Sequence, residues 1–142
     1  MGEALYKGYV EVRDKKCCEK FKGRTDFKSL KEAQKLYEYA GILAKNTMFI
    51  DIDDSDQAEI MMNIIVGMKL NCRVICTSRG KHFIFRNTVL NTCKTHTSLA
   101  IGLTADIKVG FKDSYEVLKV GGEERFVEYD SLEDYGEDYQ EV

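Results

Sequence analysis

The chain of 142 residues contains no proline. A common marker of boundaries and linkers is therefore missing, and domain limits have to be read from other signals. No run approaches the roughly 18 apolar residues of a membrane span, and nothing near Met1 resembles a positively charged start followed by an apolar signal segment. A soluble, intracellular protein is expected. Five cysteines, an odd number that includes the neighbours Cys17 and Cys18, do not make a secreted disulfide framework, so reduced thiols are expected. No repeat or low-complexity linker interrupts the chain before its C-terminal end. What is present, 44% hydrophobic and 11% aromatic residues, suffices for one globular domain with its own core.

The net charge of −3 hides an asymmetry. Residues 128–142 (EYDSLEDYGEDYQEV) hold seven acids and no base, which leaves 21 basic residues against 17 acidic over 1–127. That surplus of about four positive charges is compatible with a phosphate-bearing partner. The acidic end reads as a solvated tail or as a linker.

Alternation predicts a strand over 5–12 (LYKGYVEV), followed by a basic connection, KCCEKFKGRTDFKS. The helical spacing of Leu30, Ala33, Leu36, Tyr37 and Ala40 predicts a helix over 29–40 that stops at Gly41. MFIDID, 48–53, reads as a strand. Asp54 or Ser55 can cap the helix that follows, AEIMMNIIVGMKL, with Gln57 placed after Asp54 as in a capping box. CRVICTS and KHFIFRN form a hairpin turning at Arg79 and Gly80. The stretch 87–104 is ambiguous, TADIKVG alternates as a strand, and YEVLKV with RFVEY is expected to make a hairpin around Gly121 and Gly122. Strands and helices alternate early and hairpins dominate late, which predicts an α+β fold with a mainly antiparallel sheet.

Within FIDID, Asp51 and Asp53 would share one face of a strand, about 6.5–7 Å apart. A cap explains one acid at the strand end. It does not explain Asp51, set between Ile50 and Ile52, where burial without a partner is costly. A divalent cation removes that cost, and hard carboxylate oxygens suit Mg²⁺ or Mn²⁺. Asp51-x-Asp53-x-Ser55 also begins like a calcium loop, but Asp56 replaces the turn glycine and Met62 the closing glutamate, which excludes that loop.

In TSRGKHFIFRN, 77–87, a small polar turn leads into Lys81 and His82, gathering backbone N–H groups and cationic side chains suited to a triphosphate. A plain hairpin turn is the alternative. RGKHFIF also follows part of an RNA-recognition signature, yet Lys81 and Arg86 occupy the positions of the stacking aromatics. In TADIKVG, Asp106 again interrupts an apolar alternation, with Lys108 on the same face. Joined to Asp51 and Asp53, Asp106 is a third acid for a two-metal site. Zinc is not expected. Cys72-x₃-Cys76 and Cys93-x₂-His96 offer the right ligand types, but sulfurs four residues apart on a strand stand about 13 Å from each other. Cys72 and Cys76 therefore read as core thiols.

Asp51-Ile-Asp53 before a helix, Ser-Arg-Gly-Lys-His at 78–82, and Ala-Asp-Ile-Lys at 105–108 followed by glycine and a YEVL strand resemble motifs I, II and III of the archaeo-eukaryotic primase superfamily. The nearest likeness is to the primase-polymerase domain at the N-terminus of phage and plasmid replication proteins. It spans about 46–127 and is weakest over the first 45 residues. The family's second motif usually carries serine two residues before the histidine; here that position is Gly80, and Ser78 lies four before.

The resemblance implies a catalytic core built on a sheet related to the RNA-recognition fold, with a small N-terminal α/β unit beside it. Residues 1–127 would be the primase-polymerase domain and 128–142 the acidic tail or linker. The implied activity is template-directed nucleotidyl transfer from nucleoside triphosphates on single-stranded or primed DNA. Asp51, Asp53 and Asp106 would hold two divalent ions, Mg²⁺ or Mn²⁺. His82, Lys81, Arg79 and Ser78 would hold the phosphates, and Lys108 the phosphates or the sugar. In related replication proteins a helicase domain follows, and the setting would be the cytoplasm, that of a bacterial host if the chain is phage or plasmid encoded. The basic residues Lys15, Lys16, Lys20, Lys22, Arg24 and Lys28 would touch the template backbone or form a solvated surface.

Two other readings stay open at this point. A haloacid-dehalogenase-like phosphohydrolase also begins with an apolar strand ending in Asp-x-Asp and would use Asp51 as nucleophile, though it calls for a parallel sheet. A nucleic-acid-binding module of the RNA-recognition kind would keep the fold without the chemistry.

Overall fold

The computed structural model describes residues 4–86, 93–98 and 102–132. It is an α+β fold made of two antiparallel sheets and few helices. Strand β1 (Tyr6–Arg13) pairs with β2 (Lys16–Cys17) and with β3 (Tyr39–Leu43). Helix α1 (Leu30–Ala33) is short, and Ser29 and Glu32 close a reciprocal capping box at its start. β4 (Thr47–Ile52) leads into helix α2 (Ser55–Gly67), then β5 (Arg73–Cys76), β6 (Lys81–Arg86), β7 (Lys94–Ser98) and β8 (Thr104–Val109). After a 3₁₀ turn over Gly110–Lys112 come β9 (Tyr115–Val120), β10 (Glu123–Glu124) and β11 (Val127–Asp130).

The sheet orders are β10-β9-β3-β1-β2 and β11-β5-β6-β4-β8-β7. Period-2 alternation assigns each strand of the larger sheet two faces. One face carries Ile50, Ile52, Phe83, Ala105, Ile107 and Val109 and packs on Ala58, Met62 and Ile65 of α2. The other carries Phe49, Ile75 and Ile84, which pack against Tyr6, Tyr9, Tyr39 and Leu43 of the smaller sheet. Among the described residues no helix is long and apolar enough to cross a membrane.

The strands expected near 5–12, 48–53 and 104–110, the hairpin across Arg79 and Gly80, and the helix after Asp54 are all present. Asp54 is the cap: its Oδ2 accepts from Gln57 N at 3.0 Å. The Gln57 side chain does not complete a capping box; its Oε1 accepts from Thr104 N at 2.9 Å and so ties α2 to the start of β8.

Three expectations need correction. The helix over 29–40 ends at Ala33, and Tyr39–Leu43 is a fully buried strand between β1 and β9. Gly41, read as a helix stop, lies mid-strand because the Tyr6 ring covers it: a Cβ there would sit 2.4 Å from the ring. The N-terminal residues do not form a separate α/β unit, since β1–β3 join β9 and β10 from the far end of the chain in one sheet. The hairpin around Gly121 and Gly122 is present but short: Glu123, Glu124 and Arg125, whose N donates to Leu118 O at 2.9 Å, close it, and residues 126–129 leave it. β9 pairs briefly with β10, and β11 crosses to the edge of the other sheet beside β5. The boundary at 127/128 therefore cuts through a strand. Of the ambiguous stretch 87–104, residues 94–98 form β7 and residues 87–92 and 99–101 lie outside the described residues, as does 133–142 of the acidic tail.

Candidate active site

The three motifs meet through sheet register. Asp51 is the partner of His82 on one neighbouring strand and of Asp106 on the other. Directly opposed residues share a face with Cα atoms about 4.5–5.5 Å apart, so the two acids and the imidazole converge on the face turned toward the smaller sheet. Between the sheets opens a cleft of about 750 Å³, lined by Asp51, Asp53, Ser78, Arg79, His82 and Lys108 on one side. Tyr115, Val117 and Arg125 line it from the other side, and Lys15, Phe21, Lys22 and Lys112 form its rim. Asp106 lies beside this lining, opposite Asp51.

Gly80, which stands where the resemblance expects serine, sits in a tight turn. The turn closes with Thr77 N donating to Gly80 O at 3.0 Å and Gly80 N to Thr77 Oγ1 at 3.1 Å. It lies so close to the end of β4 that a Cβ at Gly80 would come 1.8 Å from the Ile52 carbonyl oxygen. A serine has no room there. The same approach carries Ser78 and Arg79 to Asp53, whose two oxygens accept from the Arg79 guanidinium, the Nε contact being 3.2 Å.

His82 is buried and both ring nitrogens face carboxylates: Nε2 stands 3.5 Å from Asp51 Oδ1, and Nδ1 is 2.7 Å from Glu116 Oε2. Burial works to strip the ring of charge, but hydrogen bonds to Asp51 and Glu116 and the charges of both more than offset it. The ring is pushed up to about 9 and is held as an imidazolium. Asp51 answers in kind: burial opposes its ionisation, and the bond and charge of His82 overcome that and lower its value. Burial lowers Arg125, while the nearby Glu116 and Asp51 pull it back up.

Lys81, expected on the phosphates, points elsewhere. It alternates with His82 and so lies on the α2 face of β6, where its ammonium bonds Glu128 of β11 and stands 3.1 Å from Glu59 of α2. Burial disfavours its charge, but these two acids push it up to about 12. It is a structural cation turned away from the cleft that Ser78, Arg79 and Lys108 line. Of the basic N-terminal residues, Lys15 and Lys22 reach the rim. Arg24 is spent on Glu19, Asp26 and the Lys20 carbonyl, and Lys28 bonds Glu19.

Among the described residues no three His, Cys, Asp or Glu side chains stand as a preformed cation cage. Asp53 is turned to Arg79 and Asp51 to His82. Cys72 is a core thiol pushed up to about 12 by burial, and Cys76 lies against Glu128. The side chain of His96 lies outside the described residues. Sequence reading missed Glu116 and Arg125. The signal for Glu116 was present, an acid in the apolar alternation of YEVLKV, the same feature that marked Asp51 and Asp106. Comparison with known proteins returned no match to a protein-family model, a curated protein or a solved structure, so what the cleft does must be argued from its own geometry.

Proposed function

We propose that this chain is a primase-polymerase-type nucleotidyltransferase that extends a nucleic-acid strand from nucleoside triphosphates. The observation that carries the proposal is the register of Asp51 with His82 and with Asp106 on three adjacent strands facing a cleft. The order β4-α2-β5-β6, with β8 on the other side of β4, supports the sheet-based core that the motifs imply. It departs from a βαββαβ arrangement in having strand β7 among the described residues between β6 and β8.

The carboxylates of Asp51, Asp53 and Asp106 are hard oxygen donors that fit Mg²⁺ or Mn²⁺. Such ions, when bound, activate a 3′-hydroxyl and neutralise the leaving pyrophosphate. The chain's own residues do the holding. His82 is a buried cation whose Nε2–H lies on the cleft side, poised to donate to a phosphate oxygen near Asp51. Arg79 and Asp53 are both exposed, and a surface ion pair of that kind is worth about 0–1 kcal/mol. The guanidinium is therefore free to exchange its carboxylate for a triphosphate while Asp53 turns to a cation. Ser78 supplies a hydroxyl beside it, and Lys108 adds charge further along the cleft.

The rim supports a nucleic-acid strand as the second substrate. Lys15, Lys22 and Lys112 give it positive charge. Phe21 and Tyr115, edge to face with centroids 5.3 Å apart, offer an aromatic surface on which bases can stack. The phosphohydrolase reading is disfavoured because β4 pairs antiparallel with both its neighbours. Incorporation of labelled nucleotide on a primed template tests the proposal. Phosphate release without incorporation would point to the phosphohydrolase, and binding without either to the module.

A further inference from the structure

Glu116 belongs to β9, in the sheet opposite the three motifs, and is fully buried. Both its oxygens are occupied: Oε1 accepts from the Tyr6 hydroxyl at 2.6 Å, and Oε2 accepts from His82 Nδ1–H at 2.7 Å. A carboxylate in such a place costs free energy unless it is fully bonded. Buried ion pairs can often be replaced by apolar residues of similar volume without loss of stability. Packing alone therefore does not account for an acid here. The geometry around the ring is more telling. Nδ1 is held from one sheet, Nε2 faces Asp51 in the other, and the Phe49 ring lies against the imidazole with centroids 4.6 Å apart. A histidine ring can flip about its Cβ–Cγ bond, and an acceptor fixed at Nδ1 settles which edge the cleft receives.

We propose that Glu116 is a positioning residue for His82: by accepting from Nδ1–H it makes Nε2–H the atom presented to the cleft, and through Tyr6 it locks that orientation to the smaller sheet. Glu116 touches no substrate itself. The effect on nucleotide binding rests on the nucleotidyl-transfer reading above, whereas the orientation of the ring does not.

The test uses the full chain with ¹⁵N-labelled histidine and three variants, Glu116→Ala, Glu116→Gln and His82→Ala. In the wild-type chain the His82 Nδ1 proton is expected far downfield, as a short bond to a carboxylate requires. Glu116→Ala loses that signal, and Glu116→Gln, which keeps a neutral acceptor oxygen, retains a hydrogen-bonded Nδ1 proton at a smaller downfield shift. Titration with deoxyadenosine triphosphate and Mn²⁺ is expected to show affinity reduced about 10-fold in Glu116→Ala, the scale of one charge-assisted hydrogen bond. Glu116→Gln recovers most of that loss, and Glu116→Ala adds nothing in the His82→Ala background. A folded Glu116→Ala chain that keeps the wild-type ring signal overturns the inference. So does one that loses the signal with unchanged triphosphate affinity. Should the alanine variant not fold, loss of the signal in folded Glu116→Gln overturns it. A wild-type chain that binds no triphosphate sinks the nucleotidyl-transfer reading and leaves the ring signal to decide the positioning role alone.

Discussion

His82 and Asp51 face each other across the β4–β6 ladder, Nε2 to Oδ1 at 3.5 Å, while the other ring nitrogen is bonded to Glu116. An imidazole set between two carboxylates is favoured in its doubly protonated form, in which each nitrogen carries a donor. The pair sets a buried positive charge beside Asp51 in a cleft that acids and bases both line, and holds the Asp51 carboxyl below its ordinary value although burial works to raise it.

That charge makes stability depend on pH. The folded-state value of His82, about 9, exceeds the unfolded histidine value near 6.5. The stabilisation is complete below about pH 6.5 and is lost as pH rises through about 9. Urea unfolding is expected to show a fall of up to about 3 kcal/mol over that window. His82→Gln should remove this slope and leave only what the thiols contribute. An equal slope in the variant would show that the ring is neutral in the folded chain.

Gly80→Ser, which puts serine where the proposed primase likeness expects it, should harm the protein. Its Cβ would meet the Ile52 carbonyl oxygen at 1.8 Å, and only a shift of the turn away from β4 relieves that. A loss of about 1–3 kcal/mol in thermal or urea unfolding is expected. Unchanged stability would mean that the turn does not press on the end of β4.

Truncation separates tail from fold. Removing 133–142 leaves every described interaction in place. Removing 127–142 takes away the β11 edge strand, the Glu128 partner of Lys81, the Asp130 partner of Arg73 and the Ser131 hydroxyl that accepts from Cys72 N. Lys81 would keep only Glu59, and with the edge strand and these bonds gone together the shorter chain should unfold at markedly lower temperature. Equal melting temperatures would contradict the role of β11.

At the rim, Phe21→Ala or Tyr115→Ala should weaken single-stranded DNA binding about 5- to 100-fold, the range for one stacked base. Replacing Lys15, Lys22 and Lys112 by alanine should flatten the salt dependence by about 0.7 in log–log slope for each phosphate that is no longer neutralised. Arg24→Ala, whose guanidinium is spent inside the N-terminal segment, should change little. Identical behaviour of Arg24 and the rim lysines would deny the rim a strand.

How much of this was legible follows from which forces are local. β1 and β8 show period-2 alternation while β4 and β6 are largely apolar runs, and an acid inside either pattern flags itself, which is how Asp51 and Asp106 stood out. The turn at Arg79 and Gly80 and the cap at Asp54 are short-range chemistry. What escaped depends on tertiary partners. The 29–40 segment has helical spacing, but Tyr39–Leu43 gains more by burial between β1 and β9 than a helix offers. Lys81 and His82 are neighbours in sequence, and only strand geometry sends one to the α2 face and the other to the cleft. Glu116 meets His82 from a different sheet, a pairing that no local pattern encodes.

The most direct test is incorporation of labelled nucleotide on a primed DNA template with Mn²⁺ or Mg²⁺, comparing the wild-type chain with Asp51→Ala and Asp106→Ala. Extension by the wild type and a loss of at least about 100-fold in either variant, the scale of removing a group that acts on transition-state charge, is the predicted result. Undiminished extension in Asp51→Ala, or a wild-type chain that extends nothing, would contradict the assignment.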